Sequence, residues 1–259
     1  MSSVSKGSYE KPKKKKKPYV EAPVYPAVNR INILDPVRSP ELYWGIFYLV
    51  LMKSAMYLNV TSGYSDHPKT ILVISAIISL FTITHGIQTA QSRQILKLKP
   101  KPVNNGLVIG SVIAAFALVY LLGFVFMLFG VETTMETNQQ LVNLSFQIES
   151  VPSAIIIAAV APICEELIFR EFLPIALGAS QFSFFISSVL FVIFHQPSSI
   201  GGWVLYSILS AIFLFARLKG NNIIQSIWVH VLYNTIPVFL MYGSGAFDWA
   251  MQQLSWLFN

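Results

Sequence analysis

The sequence predicts an all-α, polytopic membrane protein, and two features of its composition lead to that fold class. Of the 259 residues, 54% are hydrophobic and 12% are charged, and this charged fraction is roughly half that of an average soluble domain. With a mean hydropathy of +0.58, the chain has more apolar surface than one water-facing domain can bury. The alternating ten-residue segments of an outer-membrane barrel are absent, so helices are the remaining way to cross lipid.

Apolar segments predict about seven transmembrane helices, because about 20 residues cross the hydrocarbon core of a bilayer. Their bounds are 42–60, 70–88, 106–130, 152–177, 181–195, 202–217 and 222–243. The segment 181–195 is short, and we expect it to be embedded among its neighbours. The chain ends in GAFDWAMQQLSWLFN, which is too short to span comfortably and carries tryptophans, so we predict a C-terminal interfacial helix there. Residues 41–259 are therefore expected to form one integral membrane domain.

The first 40 residues are polar and proline-rich, and they predict a disordered basic tail. Most basic residues outside the apolar segments share one side of the membrane if the N-terminus is cytoplasmic, which predicts a multi-pass cell-membrane protein in that orientation. The tract KPKKKKKP, with lysines from Lys11 to Lys17, would attract anionic lipid at about 1 kcal/mol per residue. A solvated tail that only supports topology is an equally good interpretation. Nucleic acid is not an expected partner, because the basic residues are confined to a few segments.

Charged residues inside a membrane segment mark a functional site or a paired structural contact. Glu165, Glu166 and Arg170 lie together in VAPICEELIFREFLPIAL. Glu166 and Arg170 are four residues apart, so they share a helix face and are expected to pair. Glu165 points about 100° away around the helix and is left for another partner.

Two later segments supply polar partners at a similar predicted depth. His195 ends the run SSVLFVIFH, whereas His230 and Asn234 share one helix face in WVHVLYN. A rise of about 1.5 Å per residue places these three residues and Glu165 in one layer of the membrane. A carboxylate and an imidazole can remove a proton from a water that attacks a carbonyl carbon. A second imidazole and a carboxamide can stabilise the resulting oxyanion, so the set predicts peptide-bond hydrolysis.

Three motifs resemble the signatures of one protease family. Glu165-Glu166-Leu-Ile-Phe-Arg170 matches EExxxR, Phe191-Val-Ile-Phe-His195 matches FxxxH, and His230-Val-Leu-Tyr-Asn234 matches HxxxN. In this order they are similar to the CPBP family of intramembrane proteases, also called the Abi or CAAX protease family. The resemblance covers about residues 150–243, which we interpret as the protease core.

This resemblance implies a glutamate-dependent endopeptidase without a cofactor. It implies that Glu165 and His195 activate the water, that His230 and Asn234 form the oxyanion site, and that Glu166, Arg170 and Phe191 support the cavity. The implied substrate is a small or membrane-anchored peptide or a lipid-modified protein. Eukaryotic relatives trim prenylated CAAX proteins, and prokaryotic relatives are associated with peptide maturation and bacteriocin self-immunity.

Other interpretations of the same residues remain open. Glu165, His195 and His230 also make the two-histidine, one-carboxylate set of a catalytic zinc, although no HExxH helix is present. A transporter or proton relay needs embedded carboxylates and histidines too, but the paired helix breaks and repeat symmetry of transporters are absent. A non-enzymatic immunity or scaffold protein is a third alternative. We expect His85 and Cys164 to have structural roles.

Overall fold

The computed structural model describes residues 39–96, 102–130 and 156–255, with side chains through residue 240 apart from 63 and 157. These residues form helices joined by turns, and no strand occurs among them, so the predicted all-α class is confirmed for this part of the chain. The lysine tract and nearly all of the predicted tail 1–40 lie outside the described residues.

Seven helices, named α1 to α7, follow one another along the described residues, and one short 3₁₀ helix, Ser62–Tyr64, lies between α1 and α2. They are α1 (Pro40–Thr61), α2 (Pro68–Ser92), α3 (Asn105–Leu128), α4 (156–176), α5 (Gln181–Phe194), α6 (Ile200–Gly220) and α7 (Ile223–Ser255).

Four of the described helices are long and apolar enough to cross a membrane: α2, α3, α6 and the part Ile223–Leu240 of α7. Helix α5 has 14 residues and is too short for a simple span, as its sequence predicts. These helices indicate a membrane protein. The number of seven crossings, the multi-pass arrangement in the cell membrane and the cytoplasmic N-terminus stay predictions.

The C-terminal segment differs from its prediction. Helix α7 runs for 33 residues through Pro237, so the backbone of residues 244–255 continues α7 and does not form a separate interfacial helix. A continuous helix keeps its backbone hydrogen bonds within the segment, and proline is tolerated in membrane helices. Location of this end at a membrane surface is still a prediction.

The starts of α5 and α6 are set by local side-chain caps. Ser180 and Ser183 form a capping box at the start of α5, and the Ser199 hydroxyl accepts a hydrogen bond from the Gly202 N–H at the start of α6. Helix α6 ends at Gly220 and is capped by Asn221, whose φ of 49° is the left-handed conformation common after helix ends. His195 directly follows the end of α5, and α7 begins two residues after Asn221.

Helix α4 is irregular and occupies the centre of the fold. Two π-helical stretches, Ile156–Val160 and Ile168–Phe172, flank the α-helical turn Ala161–Leu167 that carries Glu165 and Glu166. Nearly every side chain from residue 161 to residue 176 is buried, because α4 packs against α1, α2, α5 and α7. The charged side chains of α4 therefore have to find partners on neighbouring helices.

Helices α1 and α2 are joined by a buried polar cluster. The Tyr48 hydroxyl lies 2.9 Å from His85 Nδ1 and donates a hydrogen bond of 2.8 Å to the Thr89 hydroxyl. Trp44 stacks on Tyr48 at a ring-centroid distance of 5.7 Å. These contacts favour the structural role expected for His85, since helix association in membranes relies on such hydrogen bonds.

Candidate active site

The Glu165 carboxylate lies between two imidazoles from different helices. Its Oε2 atom is 3.6 Å from His195 Nε2, at the end of α5, and 3.8 Å from His230 Nε2 on α7. Both distances are slightly longer than a direct hydrogen bond, and Glu165 is only 6% exposed. Three polar atoms thus face a common point that is sheltered from solvent.

The His195 ring is oriented by its own helix. Its Nδ1 atom lies 2.8 Å from the Phe191 carbonyl oxygen, four residues earlier. A carbonyl oxygen only accepts hydrogen bonds, so Nδ1 carries the proton and Nε2 of the neutral ring presents a lone pair. Hence the Nε2 lone pair is directed toward Glu165.

The His230 ring is oriented by Glu166, which is a contact that the sequence analysis did not predict. His230 Nδ1 lies 3.0 Å from Glu166 Oε1 and donates to it, since a carboxylate only accepts. The ring also stacks on Phe213 with centroids 4.1 Å apart. These two contacts direct the second nitrogen, Nε2, toward Glu165.

Glu166 and Arg170 pair as the four-residue spacing predicts, with Arg170 Nε 3.6 Å from Glu166 Oε2 and both side chains fully buried. The guanidinium also donates to the carbonyl and hydroxyl oxygens of Ser210 on α6, at 3.2 and 3.1 Å. Arg170 therefore links α4 to α6 and holds the carboxylate that orients His230.

Phe191 contacts both imidazole rings of the site, whereas Asn234 does not form a hydrogen bond with them. Phe191 is 1% exposed, and its ring centroid lies 4.4 Å from that of His195 and 5.9 Å from that of His230, which agrees with a packing role. Asn234 is half-buried one turn after His230. Among the described side chains, it makes no hydrogen bond to Glu165 or to either imidazole, so its place in the site depends on its spacing from His230.

The sequence analysis did not identify the contacts of three further charged groups: Glu171, Arg217 and Lys53. Arg217, at the end of α6, forms a buried ion pair with Glu171 at 2.6 Å. Lys53 on α1 is half-buried, and its Nζ atom lies 3.9 Å from the centre of the Phe194 ring. These contacts could have been expected from the sequence, because Lys53 and Glu171 lie in apolar segments, where each ionisable group needs a partner.

The described residues were compared with the ligand arrangements of metal sites, and the environment of the cysteine is known as well. Within residues 39–96, 102–130 and 156–255, no cluster of three or more His, Cys, Asp and Glu has the arrangement of a metal site. The zinc set of Glu165, His195 and His230 stays an untested alternative. Cys164, the one cysteine of the sequence, is buried beside Glu165, as expected for a small core residue.

A comparison with known protein families matches the part of the chain that carries Glu165, His195 and His230. The family described as type II CAAX prenyl endopeptidase Rce1-like matches residues 147–236, which contain all three motifs. The resemblance predicted from those motifs is therefore confirmed for this stretch.

A curated relative is the UPF0177 protein YxdF of Lactococcus lactis subsp. lactis (strain IL1403). It is 38% identical over 81 residues, which are 30% of this chain and 44% of the relative. The chain thus aligns with less than half of the relative's length. No solved structure matches the chain.

Proposed function

We propose that this chain is an intramembrane endopeptidase that cleaves a small or membrane-anchored peptide, with water activated by Glu165 and His195. The observation that carries the proposal is the buried Glu165 carboxylate, 3.6 and 3.8 Å from the Nε2 atoms of His195 and His230. The match of residues 147–236 to type II CAAX prenyl endopeptidases supports a peptidase of this general class.

The first chemical step is attack by a water held between Glu165 Oε2 and His195 Nε2. One of these groups accepts a water proton while the water oxygen bonds to the carbonyl carbon of the scissile peptide. The carbonyl π electrons move to oxygen and give a tetrahedral oxyanion. The accepted proton then passes to the leaving nitrogen as the C–N bond breaks, which yields a carboxylic acid and an amine.

His230 and Asn234 are proposed to stabilise the oxyanion. Since His230 donates its Nδ1 proton to Glu166, its Nε2 atom can donate only when the ring is an imidazolium. The Glu166 carboxylate, 3.0 Å from Nδ1, holds the ring in position, and Asn234 supplies a carboxamide donor one turn away. Such donors are more effective in a site shielded from water, because they do not reorganise during the reaction.

We also propose where in the membrane the chain cleaves its substrate, which lipids it contacts and what its biological role is. The expected cleavage depth is the cytoplasmic half of the bilayer of the cell membrane, and the lysine tract Lys11 to Lys17 is proposed to contact anionic lipid. Peptide maturation or bacteriocin self-immunity is the proposed role, on the resemblance to prokaryotic relatives.

The direct test compares membrane peptides in bacterial cells that express the wild-type chain, Glu165→Gln or His195→Ala. We expect new peptide N-termini, detected by mass spectrometry, in cells with the wild-type chain and in neither variant. A transporter or scaffold would instead leave the same set of N-termini in all three strains, and that result would contradict the proposal.

A metal-free mechanism makes a second prediction. The purified chain in lipid should keep its cleavage rate after dialysis against EDTA and 1,10-phenanthroline, because Glu165 and His195 supply the proton transfers themselves. Metal analysis of the same sample provides the check. A loss of activity that zinc restores would assign Glu165, His195 and His230 as ligands and overturn the metal-free mechanism.

A further inference from the structure

An open groove of about 450 Å³ lies between α3 and α6, away from the proposed active site. Gly106, Gly110 and Ala114 of α3 line it, and Phe215 of α6 is among the residues on its other side. The three α3 residues are spaced by four, so this helix face carries no long side chain for two turns. A Cβ atom added at Gly110 would meet no surrounding atom within 4 Å. The volume is in the range of ligand pockets, and we call this space the α3–α6 groove.

The two ends of the α3–α6 groove differ in how closely the helices approach. At one end the start of α3 lies near the end of α6, because Gln225 in the first turn of α7 donates to the Pro102 carbonyl at 3.5 Å. At the other end the helices touch, since a Cβ atom on Gly201 would lie 2.9 Å from the Phe126 ring. The α3 lining extends over residues 106–118, which is roughly 18 Å. One leaflet of the hydrocarbon core is about 15 Å deep, so the groove matches it in length.

Ser111 supplies a hydroxyl without a partner on the wall of the groove. Its side chain lines the groove and is only 5% exposed. Among the residues that the structure describes, none forms a hydrogen bond with Ser111 Oγ. Serine hydroxyls in membrane helices ordinarily bond to a carbonyl of their own helix or to a neighbouring helix, because a buried polar group without a bond is costly. A ligand with an acceptor oxygen would complete this site.

A positive charge lies just beyond the open end of the groove. Lys219 is exposed and four residues after Phe215, so it continues the face of α6 that lines the groove. In the sequence, Lys101 also comes shortly before α3. Ser111 is roughly 8 Å deeper along α3 than Gly106, and the headgroup region of a bilayer is about 5–8 Å thick on each side. The charge and the hydroxyl are thus spaced like the phosphate and the ester groups of a phospholipid.

A second membrane helix is the other occupant that small residues spaced by four would suit. Its backbone carbonyls would already be bonded within the helix, so Ser111 would gain no free acceptor. A helix is also about 10–12 Å wide with its side chains, and Phe215 and Leu118 are exposed at 55% and 42% beside the small residues. A single hydrocarbon chain is narrower and is expected to follow the groove between them. The recessed hydroxyl and the nearby lysine therefore favour a lipid.

We propose that the α3–α6 groove binds one anionic phospholipid. An acyl chain lies along the small residues of α3, an ester carbonyl accepts a hydrogen bond from the Ser111 hydroxyl, and the phosphate pairs with Lys219. This site differs from the lysine tract of the N-terminal tail, because it needs a shaped groove as well as charge. The inference is independent of the proposed peptidase activity and is tested without a substrate.

The bound lipid would support α6 from the side opposite the proposed active site. Phe213 and Phe215 point about 200° apart around α6, and Phe213 stacks on His230. A ligand that binds only the folded chain raises its stability by mass action. We therefore expect phosphatidylglycerol to raise the thermal unfolding temperature of the wild-type chain.

The test is native mass spectrometry of the full chain in detergent, titrated with phosphatidylglycerol or with phosphatidylcholine of identical acyl chains. We expect the first phosphatidylglycerol to bind about fivefold more tightly than phosphatidylcholine, and Lys219→Gln should remove this preference. Gly110→Leu fills the groove and should weaken the first binding step about tenfold or more. Ser111→Ala should weaken the binding of both lipids about fivefold, because both lipids carry ester carbonyls.

The matched control for the groove is Gly123→Leu. Gly123 is exposed on the same helix, and a Cβ atom added there would meet no surrounding atom within 4 Å, but it does not line the groove. Lys69→Gln removes an exposed lysine at the start of α2 and controls for the loss of charge. Both controls should bind phosphatidylglycerol like the wild type. The lysine tract of the tail is the same in every variant, so it cannot produce differences between them.

Three results would overturn the proposal. Equal affinity of the wild type and folded Gly110→Leu for phosphatidylglycerol would mean that lipid only coats the surface. A dimer that Gly110→Leu converts to a monomer, with lipid binding unchanged, would assign the groove to a second copy of the chain. Equal rises in unfolding temperature with phosphatidylglycerol in the wild type and Ser111→Ala would also count against the site. Ser111→Ala removes a single hydroxyl, so it tests the site without filling the groove.

Discussion

Replacing Glu165 with glutamine is expected to lower kcat for peptide hydrolysis by about 10²–10⁴-fold, the usual contribution of a positioned general base. Glutamine has nearly the same shape, but its amide cannot accept the proton that the attacking water releases. The side chain lies 3.6 Å from His195 and 3.8 Å from His230, so the substitution changes the chemistry of the site without opening a cavity. The rate should be measured on the purified variant in lipid with a peptide found by N-terminal mapping.

The matched control for this experiment is Glu41→Gln. It makes the same chemical change at the start of α1, in the pair with Arg93 outside the proposed site. We expect its cleavage rate to equal that of the wild type, and both variants should show wild-type thermal unfolding. Cleavage by Glu165→Gln at the rate of the control would remove Glu165 from the mechanism.

Replacing Arg170 with methionine is expected to destabilise the fold by about 3–5 kcal/mol, because it leaves Glu166 as an uncompensated charge in the interior. Arg170 and Glu166 are both fully buried at 0% side-chain exposure. The substitution also removes the two hydrogen bonds to Ser210 that connect α4 to α6. The free energy of unfolding should be measured by denaturant titration in detergent.

A double substitution isolates the charge effect in this pair. Adding Glu166→Gln to Arg170→Met removes the isolated carboxylate, so the double variant should recover part of the lost stability. Arg93→Met provides the comparison, since its pair with Glu41 is 35% exposed on the arginine side and should be worth only about 0–1 kcal/mol. Equal losses for Arg170→Met and Arg93→Met would contradict the interpretation of a buried charge pair.

Local interactions explain which features were predictable from the amino-acid order. The helical class follows from apolar composition and length, and α5 is as short as its segment indicates. The Glu166–Arg170 pair joins residues four apart on one helix, so their spacing alone was sufficient to predict the contact. The depth estimate grouped Glu165 with His195, His230 and Asn234, and the structure brings the first three together. Asn234 makes no hydrogen bond to them among the described side chains.

Contacts between distant segments required the packed structure. His230 is oriented by Glu166, 64 positions earlier, and Arg217 is buried against Glu171, 46 positions earlier. The continuation of α7 through Pro237 likewise differs from the separate C-terminal helix that its composition indicated. Each outcome depends on which faces of the helices meet. The π-helical stretches of α4 change which of its residues share a face, and residue spacing alone does not reveal this change.

By itself, the amino-acid order determined that the chain is helical and apolar and that α4 carries two adjacent carboxylates and an arginine at pairing distance. Tertiary structure alone decided which histidine atoms the two carboxylates meet: Glu165 faces the Nε2 atoms of His195 and His230, and Glu166 accepts a hydrogen bond from His230 Nδ1. The reason is physical: a buried charge is stabilised by whichever partner packing brings within a few ångströms, and in this bundle those partners come from other helices.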